Sequence, residues 1–230
     1  MLKLDGVTIR QDDFSLTANL CVPAGTRAAV IGPSGAGKST FLGAIAGFVP
    51  VSAGHVIWDG QDLTALGPSG RPVSTLFQDN NLFPHLNVFQ NIALGLKPSL
   101  RVTTTERAQI DMAMGRVGLL GFGARKPAQL SGGQQSRVAL ARVLLRARPL
   151  LLLDEPFSAL GPALKAEMLT LVGDICAETN ITLLMVTHDV GDARAIAEQT
   201  ILVADGHATG PFPTADLLDN PPPALRDYLG

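Results

Sequence analysis

Residues 32–39 read Gly-Pro-Ser-Gly-Ala-Gly-Lys-Ser, a GxxxxGK[ST] pattern whose residue types and spacing suit one task, holding a run of phosphates. Gly32, Gly35 and Gly37 let the backbone fold tightly enough for successive amides to point inward at an anion. A helix starting directly after the loop adds its positive amino end. Lys38 supplies a point charge to β and γ phosphates, and the Ser39 hydroxyl is placed to ligate magnesium. The candidate ATP-binding segment is therefore Gly32, Pro33, Ser34, Gly35, Ala36, Gly37, Lys38 and Ser39 with the adjoining Thr40, and ATP and Mg2+ are the expected cofactors.

Residues 150–155, Leu-Leu-Leu-Leu-Asp-Glu, are an apolar strand that delivers two carboxylates at its carboxyl end, where alternation sends them in different directions. Taken alone, such a pair also fits a solvated turn or a helix cap. Downstream of a phosphate loop it reads as a division of labour, with Asp154 on magnesium and Glu155 polarising the attacking water. Residues 130–134, Leu-Ser-Gly-Gly-Gln, precede a helical pattern with Val138, Ala141 and Leu145 on one face. Ser131, Gly132, Gly133 and Gln134 thus form either a glycine-softened helix start or a second anion site. One triphosphate does not need two such sites in one chain, so the second reading implies head-to-tail pairing of two copies.

Together, Gly-Pro-Ser-Gly-Ala-Gly-Lys-Ser, Gln78 after the apolar run ending at Phe77, Leu-Ser-Gly-Gly-Gln, the acidic strand end and His188 after Thr-Leu-Leu-Met-Val-Thr resemble the ABC transporter ATPase family. The resemblance spans essentially the whole chain. It implies an α/β P-loop NTPase core with a mostly parallel sheet, an amino-terminal antiparallel β subdomain and an inserted helical subdomain. It also implies that Glu155, His188 and Gln78 are catalytic, that Ser39, Gln78 and Asp154 reach Mg2+, and that Ser131 to Gln134 act across a dimer. The partners it implies are a second copy of the chain, an integral membrane permease that Leu82 to Leu86 approach, and a periplasmic solute-binding protein. The location it implies is peripheral, on the cytoplasmic face of the bacterial inner membrane.

Within the family, residues 71–96 and Leu-Leu-Leu-Leu-Asp-Glu-Pro-Phe-Ser-Ala-Leu are similar to thiamine-importer ATPases, and iron, sulfate and polyamine importers share much of the pattern. A soluble, non-transport ABC ATPase is a further alternative. The sequence departs from the family at two places. Gly161 stands where an aspartate usually follows Ser158-Ala159-Leu160, a position that with Pro162 also suits a helix start. Arg10 and Gln11 stand where an aromatic residue often stacks on adenine, leaving Arg10 or Phe14 for that contact, with core packing equally open to Phe14.

Elements must hold these groups in place. Near-continuous apolar runs at 27–31, 72–77, 150–153 and 181–186 predict parallel strands buried on both faces, alternating with helices as in a doubly wound sheet. Residues 1–10 predict a further strand, and 200–209, with Asp205-Gly206 at the turn, a hairpin. The helix after the phosphate loop is expected to run through Phe48. Residues 87–129 read as an inserted helical lobe, with a Thr103 to Glu106 capping box ahead of a helix through Val117, leaving 1–86 and 130–230 as the core.

The chain has 230 residues, 46% of them apolar, ample for a buried core. A net charge of −2 leaves no global basic field, and no nucleic-acid partner is expected. The start is not that of a signal peptide, and no apolar run approaches the ~20 residues needed to span a bilayer. Cys21 and Cys176 have neither disulfide nor zinc spacing and are expected to be small buried hydrophobes.

Overall fold

The computed structural model describes residues 1–77, 81–223 and 225–226. In chain order the strands are β1 (Leu2–Gln11), β2 (Phe14–Val22), β3 (Arg27–Ile31), β4 (Ala53–Trp58), β5 (Gln61–Asp62), β6 (Val73–Leu76), β7 (Leu150–Asp154), β8 (Thr182–Val186), β9 (Gln199–Ala204) and β10 (His207–Pro213). The helices are α1 (Lys38–Ala46), α2 (Val88–Ala93), α3 (Thr104–Arg116), α4 (Gly132–Leu145), α5 (Pro162–Thr179), α6 (Val190–Ile196) and α7 (Thr214–Asp219).

All ten strands join one sheet in the order β5-β4-β1-β2-β10-β9-β3-β8-β7-β6. From β9 to β6 every pairing is parallel. The pairs β1–β2, β1–β4 and β4–β5 are antiparallel. β10 joins the two halves, running antiparallel to β9 and parallel to β2. The tight turn at Asp205 and Gly206, both at positive φ, makes the β9–β10 hairpin predicted from the Asp-Gly pair.

Two apolar clusters take alternate residues of the same strands, as a period of two requires. Ile31, Leu151, Leu153, Leu183 and Met185 face a core shared with α3, α4 and α5. Val30, Leu150, Leu152, Leu184 and Val186 face the other core, built on Phe41 and Ile45 of α1 and on β1, β2 and β4. The central strands are therefore apolar at nearly every position, while β1 and β2 alternate. In β1 a register shift between Leu4 and Val7 switches the buried parity from Leu2 and Leu4 to Val7 and Ile9.

The stretch 87–129 carries α2, α3 and a short 3-10 turn at Pro127–Gln129, and α2 and α3 pack on α4. The Thr103 capping box forms as expected, with Glu106 N–H donating to Thr103 Oγ1 at 3.3 Å and Thr103 N–H to Glu106 Oε2 at 2.6 Å. Two expectations need correction. The helix after the phosphate loop stops at Ala46 rather than Phe48, because Gly47 turns left-handed at φ 86° and caps it. Cys21 is exposed and only Cys176 is buried, since Cys21 falls on the outward parity of β2 between Leu20 and Val22. No helix among the described residues is long and apolar enough to cross a membrane.

Candidate active site

The phosphate loop connects the carboxyl end of β3 to α1, and each of its glycines has a local reason. Gly32 sits at φ 152°, where a Cβ would lie 1.9 Å from the Val203 carbonyl oxygen. Gly37, at φ 96°, would place a Cβ 2.2 Å from the Phe14 ring. Gly35, at φ 78°, has open space above it and needs only the left-handed conformation.

Lys38 is buried at the first position of α1 and donates to the carbonyls of Gly32 at 2.8 Å and Pro33 at 2.9 Å. The ammonium thus braces the loop it follows. Burial lowers its pKa, against the opposing pull of the Glu155 and Asp154 charges.

Ser39 Oγ donates to Asp154 Oδ1 at 3.1 Å, joining the loop to the end of β7. Burial raises the Asp154 pKa, the Ser39 hydrogen bond lowers it and the neighbouring Glu155 charge raises it; the net direction is upward. The pair supplies two hard oxygen donors beside the loop, the ligand chemistry that Mg2+ accepts when it keeps phosphates and waters as its remaining partners. Among the described residues, no group of three or more His, Cys, Asp or Glu side chains could hold a metal unaided.

Glu155 leaves the strand at φ 44°, and its backbone N–H donates to Val186 O at 3.1 Å. This left-handed residue ends β7 and brings the carboxylate toward the end of β8. There His188 Nδ1–H donates to Glu155 Oε2 at 3.0 Å. Thr187, which precedes that histidine, donates its N–H to Val30 O at 3.3 Å and holds the segment beside β3. The structure thus brings Lys38, Ser39, Asp154, Glu155 and His188 together at the carboxyl ends of adjacent parallel strands, where open α/β sheets place their ligands. Gln78 lies outside the described residues.

Ser131 is the N-cap of α4. Gln134 N–H donates to Ser131 Oγ at 3.3 Å, and Ser131 N–H donates to Gln134 Oε1 at 3.0 Å. Ser131 and Gly132 are exposed, whereas Gly133 is buried, where a Cβ would lie 2.1 Å from Leu164 of α5. Among the described residues, the hydrogen bonds of Ser131 to Gln134 stay within that helix start and make none with the phosphate loop.

The two departures seen in the sequence have plain geometry. Gly161 is the N-cap of α5 at φ −64°, with nothing near the Cβ it lacks, so the backbone does not demand glycine there. Pro162 takes the first helical position, as read from the sequence. Phe14 packs against Gly37 and the core beneath it, while Arg10 is exposed on the same hairpin.

Comparison with known proteins places this geometry. Residues 16–158 match the family model described as ABC transporter. This chain belongs to the ABC transporter family. Membership of that family implies that the chain binds nucleotide, in keeping with its phosphate loop and acidic strand end. It is 63% identical to the thiamine import ATP-binding protein ThiQ of Cereibacter sphaeroides and 60% identical to that of Ruegeria sp., covering 100% of each chain in both cases. It is 50% identical to the protein of that name from Yersinia pseudotuberculosis, over 95% of this chain and 93% of that one. Among solved structures, the ATP-binding cassette MJ0796 in a dimeric post-hydrolysis state bound to ADP and Pi superposes with a TM-score of 0.80 at 30% identity, covering 93% of this chain and 99% of that one. A second dimeric structure of that bacterial ABC transporter cassette matches equally well. These neighbours bear out the expected ABC ATPase fold class.

Residues outside the recognisable motifs also shape the site. Phe14 seals Gly37 from across the sheet. Arg71, buried, donates to the carbonyls of Ala44 at 2.6 Å and Ile45 at 2.8 Å and so caps α1 at the end opposite the phosphate loop. Neither contact is local in sequence, and no spacing rule points to either.

Proposed function

We propose that this chain is the ATP-hydrolysing subunit of a bacterial importer, that it acts on ATP with Mg2+, and that the solute moved through its partner permease is thiamine. The observation that carries the chemistry is the side-by-side arrangement of two hydrogen-bonded pairs, Ser39 with Asp154 and His188 with Glu155, at the mouth of the phosphate loop. Support for the solute comes from relatives 50–63% identical that are named thiamine import ATP-binding proteins.

In this reading the backbone N–H groups of residues 32–40, all but that of Pro33, which has none, and the Lys38 ammonium would hold the triphosphate, and Ser39, Asp154 and Gln78 would hold Mg2+. The bound ion neutralises charge on the β and γ phosphates. Glu155 accepts a proton from water as the water oxygen attacks the γ phosphorus and the bond to the bridging oxygen of ADP breaks, giving ADP and phosphate. His188 orients the Glu155 carboxylate and faces the γ phosphate. Ser131 to Gln134 of the partner subunit close over the nucleotide, so two copies share two sites. MJ0796, which superposes on this chain, is dimeric.

Residues 87–129 form the helical lobe on the nucleotide-binding core of 1–86 and 130–230. Through that lobe and Leu82 to Leu86 the chain engages the permease, peripherally on the cytoplasmic face of the inner membrane, with a periplasmic protein delivering solute. Two assays test the reading. Purified chain assembled with its permease is expected to hydrolyse ATP faster than chain alone, and Glu155→Gln to abolish hydrolysis; undiminished turnover in that variant contradicts the assigned base. Vesicles holding the complex and the solute-binding protein are expected to take up labelled thiamine, and uptake of iron, sulfate or polyamine in its place overturns the solute.

A further inference from the structure

The segment bearing His188 is held by a closed network centred on a residue that no recognised motif includes. Lys165 lies on the first turn of α5, its N–H donating to the Gly161 carbonyl at 2.9 Å. Its ammonium contacts Asp189 Oδ2 at 2.5 Å and Asp192 Oδ1 at 2.8 Å. The other carboxylate oxygens are committed as well: Asp189 Oδ1 accepts from Gly191 N–H at 2.8 Å, and Asp192 Oδ2 accepts from Thr187 Oγ1 at 2.9 Å. Asp189 N–H in turn donates to Thr187 Oγ1 at 3.0 Å. His188 therefore sits between two residues, Thr187 and Asp189, both fixed by one cation's network.

The lysine side chain is 20% exposed and that of Asp192 14%, so this pair is shielded from water and holds geometry more firmly than a surface pair, whereas Asp189, at 42%, meets the same ammonium from the solvent side. Burial alone would lower the Lys165 pKa, but the hydrogen bonds to Asp189 and Asp192 raise it, and the Lys165 contact lowers that of Asp189. Removing the ammonium leaves two carboxylates facing one another beside His188.

The same helix turn reaches the glycine end of α4. Leu164 covers Gly133, and one turn on Glu167 pairs with Arg137 of α4 at 2.6 Å. The start of α5 is therefore gripped on one side by the histidine segment and on the other by the α4 helix start. Gly161, at its N-cap, brings no carboxylate to this junction.

We propose that Lys165 is a positioning residue that holds His188 against Glu155 and ties that pair, through Leu164, to the Gly133 end of α4. The proposal rests on the assignment of Glu155 and His188 to ATP hydrolysis. Lys165→Met is expected to lower kcat about ten- to a hundredfold while KM for ATP stays within about twofold, because the misplaced group acts in the chemical step rather than in nucleotide binding. Lys165→Arg, which keeps a cation on both carboxylates, is expected to recover most of the rate. The His188 ring resonances are expected to shift in Lys165→Met and to return toward their wild-type positions in Lys165→Arg. Melting temperature and fluorescent-nucleotide affinity, measured on each variant, separate misfolding from misplacement. A folded Lys165→Met chain with wild-type kcat and unshifted His188 resonances overturns the proposal. Undiminished hydrolysis in Glu155→Gln, run alongside, would instead strike the underlying assignment.

Discussion

Gly35 and Gly37 share a loop and a left-handed conformation, yet they should respond differently to the same substitution. A methyl at Gly35 meets open space, so Gly35→Ala carries only the conformational penalty of about 1–2 kcal/mol. At Gly37 the methyl also runs into the Phe14 ring, adding an overpacking cost of about 1–3 kcal/mol. Equilibrium urea unfolding is expected to rank Gly37→Ala clearly below Gly35→Ala; equal midpoints would show that Phe14 does not bear on the loop. Asp154 carries the opposite tension. Its folded pKa lies above the ordinary value, chiefly through burial, so the native state binds the extra proton and stability falls as pH rises through the window above that value. Asp154→Asn removes that charge and can still accept from Ser39. At neutral pH it is expected to melt higher than the wild type without nucleotide, yet to lose the Mg2+ dependence of nucleotide binding. A variant that melts lower and keeps that dependence would contradict this account of the carboxylate.

At the scale of elements, the phosphate loop hangs between β3 and α1, and α1 is secured at its far end by Arg71, whose guanidinium also donates to Leu66 O at 2.8 Å and Thr64 O at 3.2 Å. Arg71→Ala strips partners from several buried carbonyls and is expected to cost about 3 kcal/mol in urea unfolding, with Arg71→Lys recovering only part of that loss. A loss under about 0.5 kcal/mol would mean that the α1 carbonyls find other partners. The turn from β3 into α1, the acidic end of β7 and the capping box at Thr103 are legible in the sequence because each is complete within a few consecutive residues. Phe14 against Gly37, Arg71 under α1 and Lys165 beside His188 are not, because each joins elements distant in sequence by packing or charge without a fixed spacing. The sequence carries α1 too far because the apolar Phe48 and Val49 continue the pattern past Gly47, whose left-handed turn stops the helix. Cys21 reads as buried from its residue type, yet its outward parity on β2 decides the matter.

For the molecule as a whole, one continuous sheet holds two cores, and its parallel half gathers Lys38, Ser39, Asp154, Glu155 and His188 at one edge. The exposed Ser131 and Gly132 make no hydrogen bond to that cluster among the described residues. In the proposed reading, a nucleotide site that uses both sets of groups is completed by a second copy of the chain, as MJ0796, which superposes on this one, is dimeric. Sedimentation velocity on Glu155→Gln, with and without ATP and Mg2+, tests this most directly. A monomer is expected without nucleotide, a dimer with it, and loss of that dimer when Ser131→Arg is added. A chain that remains monomeric at saturating ATP, or a dimer indifferent to Ser131→Arg, would contradict it.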